Sequence, residues 1–205
     1  MVIPVRIGIL ALQGAFIEHE KMLSSLGCEA IQVRKTEHLA DIDGLVIPGG
    51  ESTTIGKLMN EFKLTDRIRD LAGDGLPVFG TCAGLILMAR EIVDSDQPRL
   101  GLMNIVAHRN AFGRQVDSFE TNLEVEGLGP DRFRAVFIRA PYIETVRNGV
   151  DVLASVGDKV VLAKEKNLLA AAFHPELTDD SRVHSLFLKE VEKFLANKKK
   201  IRAIV

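Results

Sequence analysis

The chain has 205 residues, 46% apolar and 26% charged, the composition of an ordinary globular protein and a length that suits one domain spanning 1–205. A net charge of -2 offers no basic excess for nucleic acid or an anionic membrane surface. Two cysteines, Cys28 and Cys82, are too few for a disulfide scaffold and fit a reducing compartment, so a cytoplasmic location is expected.

In chain order, Arg6–Leu12 reads as a buried strand, too short to span a bilayer and followed by Gln13 and Glu18, with no cleavable leader pattern. Phe16, His19, Leu23 and Leu26 recur at helical spacing until Gly27. Glu29–Arg34 and Gly44–Pro48 are the next strands, with a turn cluster at Asp41–Asp43 between them. Ser52–Asn60 and Leu64–Leu71 read as helices, Leu76–Phe79 as an apolar strand and Cys82–Arg90 as a further helix. Near-continuous apolar strands alternating with helices imply a parallel sheet covered on both faces. The second half carries short strand-like runs at Asn104–Arg109, Ser118–Val125, Ala135–Ile138, Val152–Val156, Lys159–Ala163 and Leu168–Phe173. Their dense turns suggest antiparallel strands added to the same sheet, giving an α/β fold that is mostly parallel. Ser185–Leu195 reads as an amphipathic helix, and Lys198–Lys200 as a frayed, solvated tail.

The sharpest local signal is Phe79-Gly80-Thr81-Cys82-Ala83-Gly84, set between an apolar strand and an apolar helix. A nucleophile elbow needs small residues two before and two after the nucleophile, where strand and helix approach closely. The positive end of the following helix favours negative charge on sulfur, and the Ala83 amide can face a developing oxyanion. Cys28, at a helix-to-strand junction with nothing catalytic beside it, reads as structural. His174-Pro175-Glu176 follows the apolar run Leu168–Phe173; residues i and i+2 of an extended segment share a side, so Glu176 can orient His174 as the base for Cys82. The remaining histidines, His19, His38, His108 and His184, read as helix-face or surface residues.

Pro48-Gly49-Gly50-Glu51-Ser52-Thr53 also links a strand to a helix, and its glycines allow amides at Gly49 and Gly50 to serve as further oxyanion donors. A phosphate loop does not fit, because Glu51 stands where the first loop glycine must be and Leu58 where Ser or Thr must bind magnesium. A zinc deaminase does not fit either, for want of the Pro-Cys-x-x-Cys partner, and no dinucleotide fingerprint follows any strand. No metal and no cofactor are expected.

The loop, the cysteine elbow and the His-x-Glu segment, in that order, resemble the class I glutamine amidotransferases with a Cys-His-Glu triad. The opening Gly8-Ile9-Leu10-Ala11-Leu12-Gln13-Gly14-Ala15-Phe16 with Glu18-His19, then Arg109-Asn110, Phe137-Ile138-Arg139-Ala140-Pro141 and His174-Pro175-Glu176-Leu177-Thr178, are similar to one subfamily. That subfamily is the glutaminase subunits of pyridoxal 5'-phosphate synthase, and the similarity reaches over almost the whole chain. The resemblance implies Cys82, His174 and Glu176 as the triad, L-glutamine as substrate, and Gly50, Glu51, Ser52, Arg109, Ile138 and Arg139 as its binding positions. A guanidinium fork at Arg109 or Arg139 suits an α-carboxylate, although either would read as a plain surface ion pair without the motif. As partner it implies a (β/α)8-barrel synthase subunit, docked near Gln13–Phe16, which receives the ammonia and switches on an otherwise weakly active chain. A glutaminase serving another synthase, a cysteine peptidase on the same sheet and a silent scaffold are the competing readings.

Overall fold

The computed structural model describes residues 4–109 and 118–202. In chain order the elements are β1 (Arg6–Leu10), α1 (Phe16–Ser25), β2 (Glu29–Val33), β3 (Gly44–Ile47), α2 (Ser52–Glu61), α3 (Leu64–Gly73), β4 (Val78–Thr81), α4 (Ala83–Met88) and β5 (Ala89–Ile92). They continue with β6 (Met103–His108), β7 (Ser118–Leu123), β8 (Phe133–Ile138), β9 (Tyr142–Val146), β10 (Asp151–Val156), β11 (Lys159–Glu165), β12 (Leu168–Ala171) and α5 (Arg182–Arg202).

Every residue of β3, β4 and β12 is buried, which requires cover on both faces of the sheet. Adjacent residues of β4 show where that cover comes from. The Phe79 ring packs against His184 and Phe187 of α5, whereas a β-carbon on Gly80 would strike Gly84 and Met88 of α4. Because successive strand residues point to opposite faces, α5 lies on one side and α4 on the other. Each large side chain fully buried in such a layer, Phe79 and Phe187 among them, contributes about 1.5–3 kcal/mol.

The sheet order is β2-β1-β3-β4-β12-β11-β9-β6-β5, with β10 paired to β11. The pairs from β2 to β12 are parallel. Beyond them β12–β11, β11–β9 and β9–β6 are antiparallel, and β5 returns parallel to β6. A mostly parallel sheet with antiparallel strands from the second half is thus the expected architecture. β7 and β8 form a separate hairpin, pinned by stacked Phe119 and Phe137 and joined to the core where Phe137 meets Phe173.

Two expectations need correction, and one strand was not anticipated. The helix expected over Cys82–Arg90 ends at Met88, where Ala89 turns extended and pairs with Met103 of the sheet. Tyr142–Val146, β-branched at Ile143, Thr145 and Val146, is a strand wedged between β6 and β11. The Lys198–Lys200 run is solvated as expected but not frayed: α5 continues to Arg202, with the Lys198 ammonium 5.6 Å from the Phe194 ring.

Candidate active site

Strand order reverses at β1, which lies between β2 and β3, and in open parallel sheets ligands collect at the carboxyl ends of the strands beside such a point. The segments leaving β1, β3, β4 and β12 meet there around a cavity of about 320 Å³. It is bordered by Cys82, His174, Gly49, Gly50, Glu51, Ser52, Arg109, Ile138 and Arg139, which is every residue proposed from sequence except Ala83 and Glu176. Asn110, paired with Arg109 in the motif, lies outside the described residues.

Cys82 stands between β4 and α4 with φ 48° and ψ -100°, a conformation that costs an ordinary L-residue about 1–3 kcal/mol. The glycine frame is needed for a steric reason. A β-carbon on Gly84 would come within 2.1 Å of the Ile47 carbonyl oxygen, and one on Gly80 within 2.6 Å of the Gly84 backbone. The Cys82 amide donates to the Ala171 carbonyl at 2.8 Å, so it is not free for an oxyanion. The next amide, Ala83, opens α4, where the first-turn N–H groups have no partner within the helix.

His174 follows β12, and its amide donates to the Val136 carbonyl at 2.8 Å, which fixes the residue against β8. Its Nδ1 lies 2.7 Å from Glu176 Oε1, within the short 3-10 turn Pro175–Leu177. Burial alone would lower the imidazole pKa, but hydrogen bonds to Cys82 and Glu176 outweigh it and push the value up to about 10. Burial would likewise raise Glu176; the facing His19 and His174 rings instead hold it below the usual carboxylate value. Cys82 Sγ sits 3.9 Å from the Ile138 carbonyl oxygen.

The glycine loop is held from both sides. The Ala15 amide donates to the Gly49 carbonyl at 3.0 Å, and the Glu51 amide donates to Gln13 Oε1 at 2.8 Å. Arg109 is fixed by Gln97 Oε1 at 2.9 Å and by Glu51 Oε1 at 3.5 Å. Arg139, at φ 42°, makes no hydrogen bond or ion pair among the described residues and borders the cavity.

Residues missed in the sequence complete the surroundings. Gln97 is buried, and its Oε1 also accepts from Ser52 Oγ at 3.3 Å and Thr53 Oγ1 at 3.2 Å. His19 and His184, read from sequence as helix-face or surface residues, are fully buried beside Glu176; His38 is exposed and His108 half-buried. His19 left a trace, since it shares the helical spacing of Phe16 and Leu23. Gln97, in a polar loop segment, left none.

A larger open cleft of about 1140 Å³ lies elsewhere, lined by Lys63, Arg69 and Arg99 among others. It holds no cysteine, serine or histidine, and its Arg69 and Arg99 guanidiniums are occupied by backbone carbonyls. No group of three His, Cys, Asp or Glu among the described residues is arranged to hold a metal ion. No helix among them is long and apolar enough to cross a membrane.

The fold is that of the glutamine amidotransferases: a crystal structure of a glutamine amidotransferase superposes with a TM-score of 0.87 at 53% identity, covering 91% of this chain and 98% of that one. A glutamine amidotransferase from Thermotoga maritima shares the fold alone, at 14% identity and a TM-score of 0.61, over 94% of this chain and 86% of that one. The family model described as the SNO glutamine amidotransferase family matches residues 9–193, and the chain belongs to that family. It is similar to the pyridoxal 5'-phosphate synthase subunit PdxT of Moorella thermoacetica, with 61% identity over 91% of this chain and 99% of the relative. The subunit of the same name from Pelotomaculum thermopropionicum is 62% identical over 90% of this chain and 94% of its own.

Proposed function

We propose that residues 1–205 form one glutaminase domain, the ammonia-producing subunit of a pyridoxal 5'-phosphate synthase acting in the cytoplasm. The observation that carries this is His174, held by Glu176 at 2.7 Å and sharing a cavity of about 320 Å³ with a strained elbow cysteine. The high sequence identity to PdxT subunits supports the particular substrate and assembly.

In this reading Cys82 Sγ attacks the side-chain amide carbon of L-glutamine. The carbonyl oxygen becomes an oxyanion facing the Ala83 amide and the Gly49–Gly50 loop. His174 holds the proton taken from the thiol and delivers it to the departing ammonia, while Glu176 fixes its ring and stabilises its cation. Water activated by the same imidazole then cleaves the thioester and releases glutamate. Gly50, Glu51 and Ser52 bind the substrate from the loop, Ile138 forms a wall, and Arg109 and Arg139 supply positive charge for its α-carboxylate. Arg139 suits the direct fork, having no partner to give up among the described residues, whereas Arg109 is held by Gln97 and Glu51. The ammonia passes to a (β/α)8-barrel synthase subunit; neither nucleic acid nor membrane is a partner.

Glutamate release from glutamine, with and without the synthase subunit, tests this for the wild type and Cys82→Ala. Cysteine-dependent release that rises when the synthase is added is the expected result. Release that survives in Cys82→Ala, or no release in any condition, would overturn the reading.

A further inference from the structure

Behind the triad lies a pair of buried imidazoles that the proposed chemistry does not use. His19, on α1, and His184, in the first turn of α5, are both fully buried. His19 Nδ1 and His184 Nε2 are 2.9 Å apart. On its other side, His19 Nε2 lies 3.1 Å from Thr81 Oγ1 and 3.4 Å from Glu176 Oε2. Glu176 Oε2 and His184 Nδ1 are both buried without a well-formed hydrogen bond. The groups facing His19 are thus Glu176 and His174 after β12, Thr81 and Phe79 on β4, His184 on α5, and Glu18 on its own helix.

These positions determine where the protons sit. Burial pushes His19 below its ordinary value and His184 down to about 3, so both rings are neutral and each carries one N–H. One proton lies between the two rings. Were it on His19 Nδ1, the His184 proton would be on Nδ1, a buried donor without an acceptor, and His19 would turn a bare lone pair toward the Glu176 carboxylate. Both arrangements are unfavourable, because an unpaired buried donor forfeits its solvation and two lone pairs repel. With the proton on His184 Nε2 neither arises. His184 donates to His19 Nδ1, and the His19 Nε2–H points between Thr81 and Glu176 as a shared donor.

We infer that His19 is a positioning residue for Glu176: its Nε2–H holds the second carboxylate oxygen, and His184 fixes its tautomer, so that Oε1 stays aimed at His174. The inference rests on Cys82, His174 and Glu176 being the hydrolytic machinery. The polar chain then runs His184 to His19 to Glu176 to His174 to Cys82, tying α1 and α5 to the nucleophile. His174 approaches one oxygen of Glu176 and His19 the other, so rotation of the carboxylate would cost both contacts.

Two measurements test it, and the first needs no activity. Long-range proton–nitrogen NMR of the full chain labelled with ¹⁵N-histidine reports tautomers directly. His19 and His184 are each expected neutral, protonated on Nε2, and without titration between about pH 7 and 9. A ring protonated on Nδ1, or one that charges in that window, overturns the assignment whether or not the chain hydrolyses glutamine. The second is glutamine hydrolysis by His19→Ala and His19→Gln in the presence of the synthase subunit. Losing a hydrogen bond to a charged partner lowers kcat about ten- to a hundredfold in His19→Ala, with KM nearly unchanged. The acid limb of its pH profile moves upward, because Glu176 loses a donor to its ionised form. His19→Gln, which returns an amide N–H near the Nε2 position, recovers most of the rate and the original limb. A folded His19→Ala with wild-type kcat and pH profile overturns the positioning role. If His19→Ala does not fold, the tautomers of the wild type and the rate of His19→Gln still decide.

Discussion

Gly49 lies against the Cε1 edge of the His174 imidazole, so closely that a β-carbon at residue 49 would come within 2.3 Å of Cε1 and 2.9 Å of Nδ1. The ring has nowhere simple to go, since its Nδ1 is held by Glu176 and its backbone amide by Val136. The glycine therefore serves the imidazole as well as the loop's own amides.

Gly49→Ala is expected to displace the ring and lower kcat for glutamine hydrolysis by about a hundredfold or more, the effect of moving a reacting group by roughly 1 Å. Its melting temperature should fall as well, because displacing the ring breaks its buried contact with Glu176. Steady-state rates and a thermal melt of the same preparation check both halves.

The strained elbow predicts an order of stability among inactive variants. Glycine accepts the Cys82 conformation at φ 48° without the penalty that alanine keeps. Cys82→Gly should accordingly be more stable than Cys82→Ala by about 1 kcal/mol in denaturant unfolding, even though glycine adds freedom to the unfolded chain. The reverse order would mean that the strain is absent.

His174 carries a pH signature with a definite sign. Its folded pKa, about 10, lies above the unfolded value of roughly 6.5. The stability it supplies is fully present below about pH 6.5 and is lost as pH rises through about 10. The melting-temperature advantage of the wild type over His174→Gln should therefore shrink steadily from pH 6 to pH 10. An advantage that grows with pH would contradict the imidazolium.

Gln97 gathers Ser52, Thr53 and Arg109 on one carbonyl oxygen. Gln97→Leu keeps the volume and removes that acceptor, leaving Arg109 with Glu51 among the described residues. KM for glutamine should rise about threefold to tenfold with kcat nearly unchanged, the effect of about 1 kcal/mol of hydrogen bonding. A fall in kcat at constant KM would place Gln97 in the reaction itself.

What was legible in the sequence follows from the range of each signal. The elbow, the glycine loop and His174-Pro175-Glu176 are short segments whose local geometry is set by their own residues, so their meeting at the strand ends could be anticipated. The extended Ala89–Ile92 could not, because the apolar run before it continues into Ala89 and only pairing with Met103–Ala107 makes it a strand. His19 and His184 are separated by 165 residues and meet only when α1 and α5 pack on one face of the sheet. On a helix face a histidine reads the same whether it meets solvent or a buried carboxylate. Gln97 acts through Arg109, 12 positions away, across a segment with no periodic pattern.

The proposed reaction acylates Cys82 with the glutamyl group, which mass spectrometry of the full chain, acid-quenched during turnover with a synthase subunit, detects directly. A glutamyl thioester on the peptide containing Cys82, absent from Cys28 and from the Cys82→Ala variant, is the expected result. An acyl group on Cys28, or undiminished glutamate release from Cys82→Ala, would contradict it.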